Sequence, residues 1–103
     1  MKWITTTLGI CLLVSATMAH AGSTDPNLAR NLAATCANCH GTNGKAKPGA
    51  GMDALAGMDG AKLLQKLKEF RSGSKPGTVM PQISKGYTEE QLSLVAAYFA
   101  AVK

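Results

Sequence analysis

One short segment constrains this chain of 103 residues more than any other feature. Cys36, Cys39 and His40 form a Cys-x-x-Cys-His motif, which places two thiols and an imidazole close together along the chain. This spacing is typical of c-type haem attachment, in which both thiols form thioethers with the porphyrin and the histidine ligates the iron. The motif therefore predicts one covalently bound haem c, with Cys36 and Cys39 as attachment points and His40 as an axial iron ligand.

Two other uses of such a motif fit the rest of the chain less well. A structural zinc site needs four protein ligands, usually Cys and His, and the chain after residue 21 contains only the three of the motif. A thioredoxin-like redox pair needs a βαβ framework, and the sequence has no alternating strand pattern. A dithiol or disulfide site is the main alternative to haem.

The N-terminal segment is typical of a secretory signal peptide. Lys2 supplies a positive start, the stretch from Ile4 to Ala16 is mostly apolar, and an Ala-His-Ala tripeptide ends at Ala21. The apolar run is shorter than the ~20 residues that a bilayer span needs. We therefore predict a signal peptide over residues 1–21, cleavage after Ala21, a single domain over residues 22–103, and a periplasmic protein without a stable membrane span.

The predicted domain has about 80 residues, and a core of that size is marginal without a disulfide, a metal or a cofactor. Cleavage removes Cys11 and His20, so the remaining cysteines and histidine all belong to the motif. It also removes Lys2, one of eleven basic residues set against six acidic ones, which lowers the formal net charge from +5 to +4. For an exported haem protein, this basic balance favours a protein partner over nucleic acid.

The patterns along the chain predict an all-α fold. Asp25 and Pro26 are typical of an N-cap and a first helical position, and they predict a helix that runs to Cys36. Residues 41–57 are rich in Gly, Ala, Lys and Asn and predict an irregular loop. Asp59 is the predicted cap of a second helix, whose apolar face comprises Leu63, Leu64, Leu67 and Phe70.

The last helix has the clearest local signature. Thr88 and Gln91 have the spacing of a capping box, in which each side chain bonds the backbone N–H of the other. The predicted buried stripe of this helix comprises Leu92, Val95, Ala96 and Phe99. The helix therefore packs one apolar face against the core.

Three methionines outside the signal peptide are candidates for the second axial ligand. A thioether opposite His40 would stabilise reduced iron and raise the reduction potential. Met80 lies in a predicted loop punctuated by Pro and Gly, where a methionine is held against something specific more often than in a helix. We predict that Met80 is the ligand, with Met52 or Met58, or an open or otherwise filled position, as alternatives.

The chain after residue 21 resembles a class I cytochrome c, with an N-terminal helix running into Cys-x-x-Cys-His, a methionine loop and a C-terminal amphipathic helix. Several segments are similar to the haem subunit of flavocytochrome c sulfide dehydrogenase: Leu55-Ala56-Gly57, Lys68-Glu69-Phe70-Arg71-Ser72-Gly73, Thr78-Val79-Met80, Ile83-Ser84-Lys85-Gly86-Tyr87-Thr88 and Ala97-Tyr98-Phe99. The resemblance implies a small all-α class I cytochrome c fold around one covalently bound haem. It also implies an exposed haem edge, axial ligation by His40 and Met80, and a flavoprotein subunit as electron donor.

One position departs from that family. Asp53 stands where relatives often have proline, and in class I cytochromes a proline carbonyl commonly accepts a hydrogen bond from the proximal imidazole. The carbonyl of Asp53 and that of Pro48 are both candidates for this role.

These features predict an electron-transfer protein and not an enzyme in its own right, because Asp53 and Asp59 are single carboxylates without a base or nucleophile partner. The preferred function is that of a haem subunit that accepts electrons from a flavoprotein that oxidises sulfide and passes them to a downstream cytochrome or oxidase. The alternative is a free soluble carrier of the cytochrome c553 or c4 type. A haem enzyme or gas sensor with an open distal site is a minor alternative, since no second histidine remains after cleavage.

Overall fold

The fold is given by a computed structural model, which describes residues 25–103. All the regular elements in this range are helical, and residues 25–103 contain no strand. This confirms the all-α prediction. The predicted signal peptide over residues 1–21 lies outside the described residues. Among the described helices, none combines the length and the apolar composition that a membrane crossing requires.

A broken helical path leads into the Cys-x-x-Cys-His motif. Helix α1 (Leu28–Ala33) continues through a 3-10 turn (Ala34–Cys36) into helix α2 (Ala37–His40). The prediction of Asp25 as N-cap and Pro26 as first helical residue is wrong, because the helix begins at Leu28 with Asn27 as its N-cap. The Asp25 carboxylate accepts a hydrogen bond from the backbone N–H of Asn27 at 2.8 Å, and this closed turn delays the first helical residue to Leu28.

A loop then leads to the longest helix. The loop contains a 3-10 turn (Thr42–Gly44) and is otherwise irregular up to helix α3 (Gly60–Ser72), as predicted for residues 41–57. The Asp59 carboxylate accepts a hydrogen bond from the backbone N–H of Lys62 at 2.9 Å, which confirms its capping role. Helix α3 is followed by its C-cap Gly73, whose φ of 85° is the left-handed conformation that glycine tolerates best.

Met80 begins a short helix, and its predicted place in a loop is therefore wrong. Helix α4 (Met80–Lys85) has Val79 as N-cap and Pro81 in its first turn. Proline at that position lacks only an N–H that the helix would leave unbonded, and its fixed φ favours the helical conformation. The feature that suggested a loop is therefore the one that starts the helix.

Helix α5 (Glu89–Ala100) packs against α1 and α3, and α4 packs against α3. The capping box of Thr88 and Gln91 is present, with hydrogen bonds of 3.1 Å and 2.9 Å, as predicted. All four residues of the predicted stripe on α5 are buried. The core comprises Ala33, Leu63, Leu67, Leu92, Val95, Ala96 and Phe99.

Candidate cofactor site

The helices enclose a cavity of about 230 Å³. One water molecule needs about 10–15 Å³ by the same measure, so the cavity is far larger than a site for a few waters. Four of the seven buried core residues line it: Leu63, Leu67, Val95 and Phe99. The cavity is therefore continuous with the hydrophobic core, and its wall suits a large apolar group.

All three donors of the Cys-x-x-Cys-His motif line this cavity. Cys36 is half-buried and Cys39 is exposed. Burial raises the pKa of the Cys36 thiol, although a hydrogen bond with the Thr35 side chain acts in the opposite direction. The cavity thus places both thiols beside the apolar wall that a macrocycle would contact.

The imidazole of His40 is oriented by a backbone carbonyl. Its Nδ1 lies 2.6 Å from the carbonyl oxygen of Asp53, and since a carbonyl only accepts, Nδ1 carries the proton and donates. This tautomer leaves Nε2 with a free lone pair, which is the form of histidine that binds a metal ion. Of the two acceptors considered from the sequence, Asp53 and Pro48, the structure selects Asp53.

The segment that carries Asp53 is held by three further backbone hydrogen bonds. The Gly44 carbonyl accepts from the N–H of Leu55 at 2.8 Å and from that of Ala56 at 3.1 Å, and the Phe99 carbonyl accepts from the N–H of Gly57 at 2.9 Å. Gly44 is buried with a φ of 72°, and a Cβ there would lie 2.9 Å from the backbone N of Ala56. Sequence analysis missed this role of Gly44, for which the only local signal was a glycine in a loop.

The three candidate methionines all line the cavity. Met80 and Met58 are half-buried and pack against the core, while Met52 is 42% exposed. The structure therefore brings Met80 to the same cavity as His40, and it brings the two alternatives there as well.

The donor set and the cavity lining together fit an iron porphyrin. The apolar wall suits a large macrocycle, the two thiols suit thioether attachment, and an imidazole and a thioether are suitable iron ligands. Residues 25–103 contain no cluster of three or more Cys, His, Asp or Glu side chains that could hold a metal ion by themselves. The zinc alternative thus finds no support in the described part of the chain.

Three apolar side chains of the cavity lining are exposed. Met52, Val79 and Ile83 line the cavity and are 42%, 57% and 38% exposed. Lys66 and Asp53 are the charged side chains among its lining, besides the titratable groups of the motif. We call Met52, Val79 and Ile83 the apolar rim.

Comparison with known proteins agrees with this site. The family model for cytochrome c matches residues 27–103. The cytochrome subunit of sulfide dehydrogenase from Chlorobaculum tepidum is 37% identical over 68 residues, which cover 66% of this chain and 60% of that relative. The thiosulfate dehydrogenase electron acceptor of Stutzerimonas stutzeri is 34% identical over 70 residues, 68% of this chain and 32% of the relative.

A third relative matches along almost its whole length. Cytochrome c-553 of Nitratidesulfovibrio vulgaris is 31% identical over 107 aligned positions, which cover 97% of this chain and 98% of the relative. The chain thus spans 60% and 32% of the first two relatives and nearly all of the third. From the family match, the helical fold and the cavity faced by Cys-x-x-Cys-His, we conclude that the chain belongs to the cytochrome c family.

Proposed function

We propose that this chain is a periplasmic electron carrier in which Cys36 and Cys39 hold the haem by thioethers while His40 and Met80 ligate its iron. Covalent haem c and electron transfer follow from the family, and the individual residues, the compartment and the partner are the content of the proposal. When bound, the haem iron supplies the one-electron chemistry. The protein supplies ligands, an apolar surrounding and a docking surface.

The role of His40 is supported by its hydrogen bond to the Asp53 carbonyl at 2.6 Å. A bond of this kind fixes the tautomer and the ring orientation of a ligating histidine, and it raises the basicity of the nitrogen that faces the metal. The lone pair of Nε2 is available on the opposite side of the ring. No hydrogen bond to Nε2 occurs within the described residues, so that atom is free to take a ligand.

The choice of Met80 is supported by the direction of the His40 ring. Because Nδ1 is directed at Asp53, Nε2 is directed away from the segment that carries Asp53. Met52 is the chain neighbour of Asp53, so it belongs to the segment from which Nε2 is directed away, which disfavours it as the second ligand. Met80 is the first residue of α4, an element separate from that segment, and it lines the same cavity as His40.

The partner is proposed from the apolar rim. Met52, Val79 and Ile83 are exposed apolar side chains of the cavity that would hold the haem. Durable subunit interfaces are more apolar than brief redox encounters, which rely more on charge steering. The rim, together with the likeness to a sulfide dehydrogenase cytochrome subunit, supports a haem subunit that accepts electrons from a sulfide-oxidising flavoprotein and passes them to a downstream cytochrome or oxidase.

Gel filtration of the native protein at low and at high salt tests the subunit proposal. We expect haem absorbance and flavin absorbance to elute together under both conditions, since an apolar contact does not weaken with salt. Addition of sulfide to that fraction should then reduce the haem. A haem protein that elutes at its own small size in both buffers would contradict the proposal.

That contrary result would favour the second candidate, a free soluble carrier. The observation that favours this candidate is the match to cytochrome c-553 over nearly the whole of both chains. A free carrier should exchange electrons with its partners in a salt-dependent reaction. Salt dependence of the haem reduction rate therefore separates the two candidates.

The periplasmic location depends on the predicted signal peptide over residues 1–21. We expect the mass of the exported protein to equal that of a chain beginning at Gly22 plus one haem. Retention of residues 1–21 in the exported protein would contradict this part of the proposal.

A further inference from the structure

We infer that Tyr98 is a positioning residue for the proximal histidine, and that it acts through Asn43 and the backbone of the loop at residues 41–57. The inference rests on the proposed ligation of iron by His40. It assigns a redox role to a tyrosine that, within residues 25–103, forms no hydrogen bond with the histidine or with its acceptor.

The first link joins helix α5 to the loop. The Tyr98 hydroxyl donates a hydrogen bond to Oδ1 of Asn43 at 2.7 Å, across 55 positions of sequence. The Tyr98 ring stands edge-on to Phe99, with ring centres 5.3 Å apart and planes at 75°. Tyr98 is therefore held on α5, and its hydroxyl fixes the side chain of Asn43.

The second link is the backbone of Asn43 and Gly44. Asn43 has a φ of 54°, a left-handed conformation that costs free energy in a residue with a side chain. The hydrogen bond from Tyr98 offsets part of that cost. It holds the chain where Gly44 passes close to α5, since a Cβ on Gly44 would lie 2.8 Å from Phe99.

The third link connects Gly44 to the acceptor of the histidine. The Gly44 carbonyl accepts from the N–H groups of Leu55 and Ala56, two and three residues after Asp53. The Asp53 carbonyl then accepts from Nδ1 of His40 at 2.6 Å. In this series of hydrogen bonds from Tyr98 to His40, Asn43 is the only intermediate residue that contributes its side chain, and the others contribute backbone groups.

The position of the Asp53 carbonyl sets the strength of the hydrogen bond from Nδ1. A stronger bond makes Nε2 more basic, which favours ferric iron and lowers the reduction potential. Loss of the Tyr98 hydroxyl frees Asn43 and loosens the segment that carries Asp53. We therefore expect a weaker bond at His40 and a higher reduction potential.

The test compares Tyr98→Phe with the unmodified holoprotein by NMR and by redox titration. We expect the Nδ1 proton of His40 to exchange with solvent about three- to tenfold faster. This ratio of exchange rates corresponds to the free energy lost with one neutral hydrogen bond. The reduction potential should shift upward. Asn43→Gly, which keeps the left-handed backbone and removes the acceptor, should show the same changes. Asn43→Asp keeps an acceptor oxygen and should retain the original exchange rate.

Tyr87→Phe is the matched control for general destabilisation. The Tyr87 hydroxyl donates to the carbonyl of Leu32 at 3.0 Å and lies 2.8 Å from Oγ1 of Thr35, so it holds α1 and the following turn and not the loop. We expect a similar loss of stability and a less than about twofold change in exchange at His40. The inference is overturned if Tyr98→Phe leaves both exchange and potential unchanged, or if Tyr87→Phe accelerates exchange equally.

Failure of the proposed function gives a different result. If His40 is not an axial ligand, the unmodified holoprotein will show no Nδ1 proton among the resonances shifted by the iron. That outcome overturns both the proposed function and this inference. A shifted Nδ1 signal that is insensitive to Tyr98→Phe overturns this inference alone.

Discussion

The His40 side and the Met80 side of the cavity are built by different means. On the His40 side, backbone carbonyls of Asp53, Gly44 and Phe99 accept hydrogen bonds that fix the loop in position. On the Met80 side, a six-residue helix packs against α3. Its fully buried Ser84 hydroxyl has no hydrogen-bond partner among the described residues.

This difference corresponds to the chemistry of the two proposed ligands. An imidazole carries a proton on one nitrogen, and its properties depend on where the acceptor of that proton lies. A thioether has no proton to donate, so it needs only room and a suitable approach. We therefore expect changes on the His40 side to alter the backbone and the electronic properties of the iron, and changes on the Met80 side to act through occupancy and packing.

The largest expected effect is that of Met80→Ala. We expect complete loss of the visible band from methionine sulfur to ferric iron and a fall in reduction potential, because a thioether ligand favours reduced iron. Met52→Ala and Met58→Ala are the matched controls and should keep the band. If one of these two substitutions abolishes the band while Met80→Ala does not, the substituted methionine is the ligand. The contrast between the His40 side and the Met80 side of the cavity would then be wrong.

Gly44→Ala should be the most damaging small change on the His40 side. The left-handed φ and the approach of Ala56 N at 2.9 Å together should lower the free energy of unfolding by about 2–4 kcal/mol. Gly49→Ala is the control. Gly49 has a φ of 78°, but no atom lies within 4 Å of the position that a Cβ would take. We expect this substitution to lower the free energy of unfolding by about 1 kcal/mol.

Denaturant unfolding of the holoproteins measures both changes. Equal losses in Gly44→Ala and Gly49→Ala would mean that the loop shifts easily. In that case the His40 side is not held by the rigid backbone contacts described above.

The smallest expected effect is a gain in stability from Ser84→Ala. Removing a buried hydroxyl without a partner should raise the free energy of unfolding by about 1 kcal/mol and leave the reduction potential unchanged. Ser93→Ala is the control, because the Ser93 hydroxyl donates to the Glu89 carbonyl at 3.1 Å on an exposed face. A loss of stability in Ser84→Ala would show that this hydroxyl has a partner in the holoprotein, and the Met80 side would then also depend on hydrogen bonds.

Sequence patterns predicted the parts of this molecule that depend on neighbours in sequence. The caps of α3 and α5 are side-chain hydrogen bonds over three residues, and the buried stripe of α5 follows from helical periodicity. The Cys-x-x-Cys-His motif is likewise local. Each of these features could be recognised because its determinants lie within a few turns of chain.

The features that sequence analysis missed depend on packing or on the path of a loop. Helix α4 is too short for a periodic pattern, and a proline such as Pro81 favours a loop as much as a helix start. The choice between the Asp53 and Pro48 carbonyls depends on how the loop folds back under His40. The bond between Tyr98 and Asn43 spans 55 residues and has no local signature.

The sharing of residues between the core and the cavity wall constrains how this protein can change under selection. In many proteins, residues that bind a ligand can be replaced at little cost to folding, because the core lies elsewhere. Here Leu63, Leu67, Val95 and Phe99 are at once core and cavity wall. A mutation that reshapes the cavity for a different ligand therefore alters the stability of the whole domain. Thermal stability and cofactor retention must evolve together.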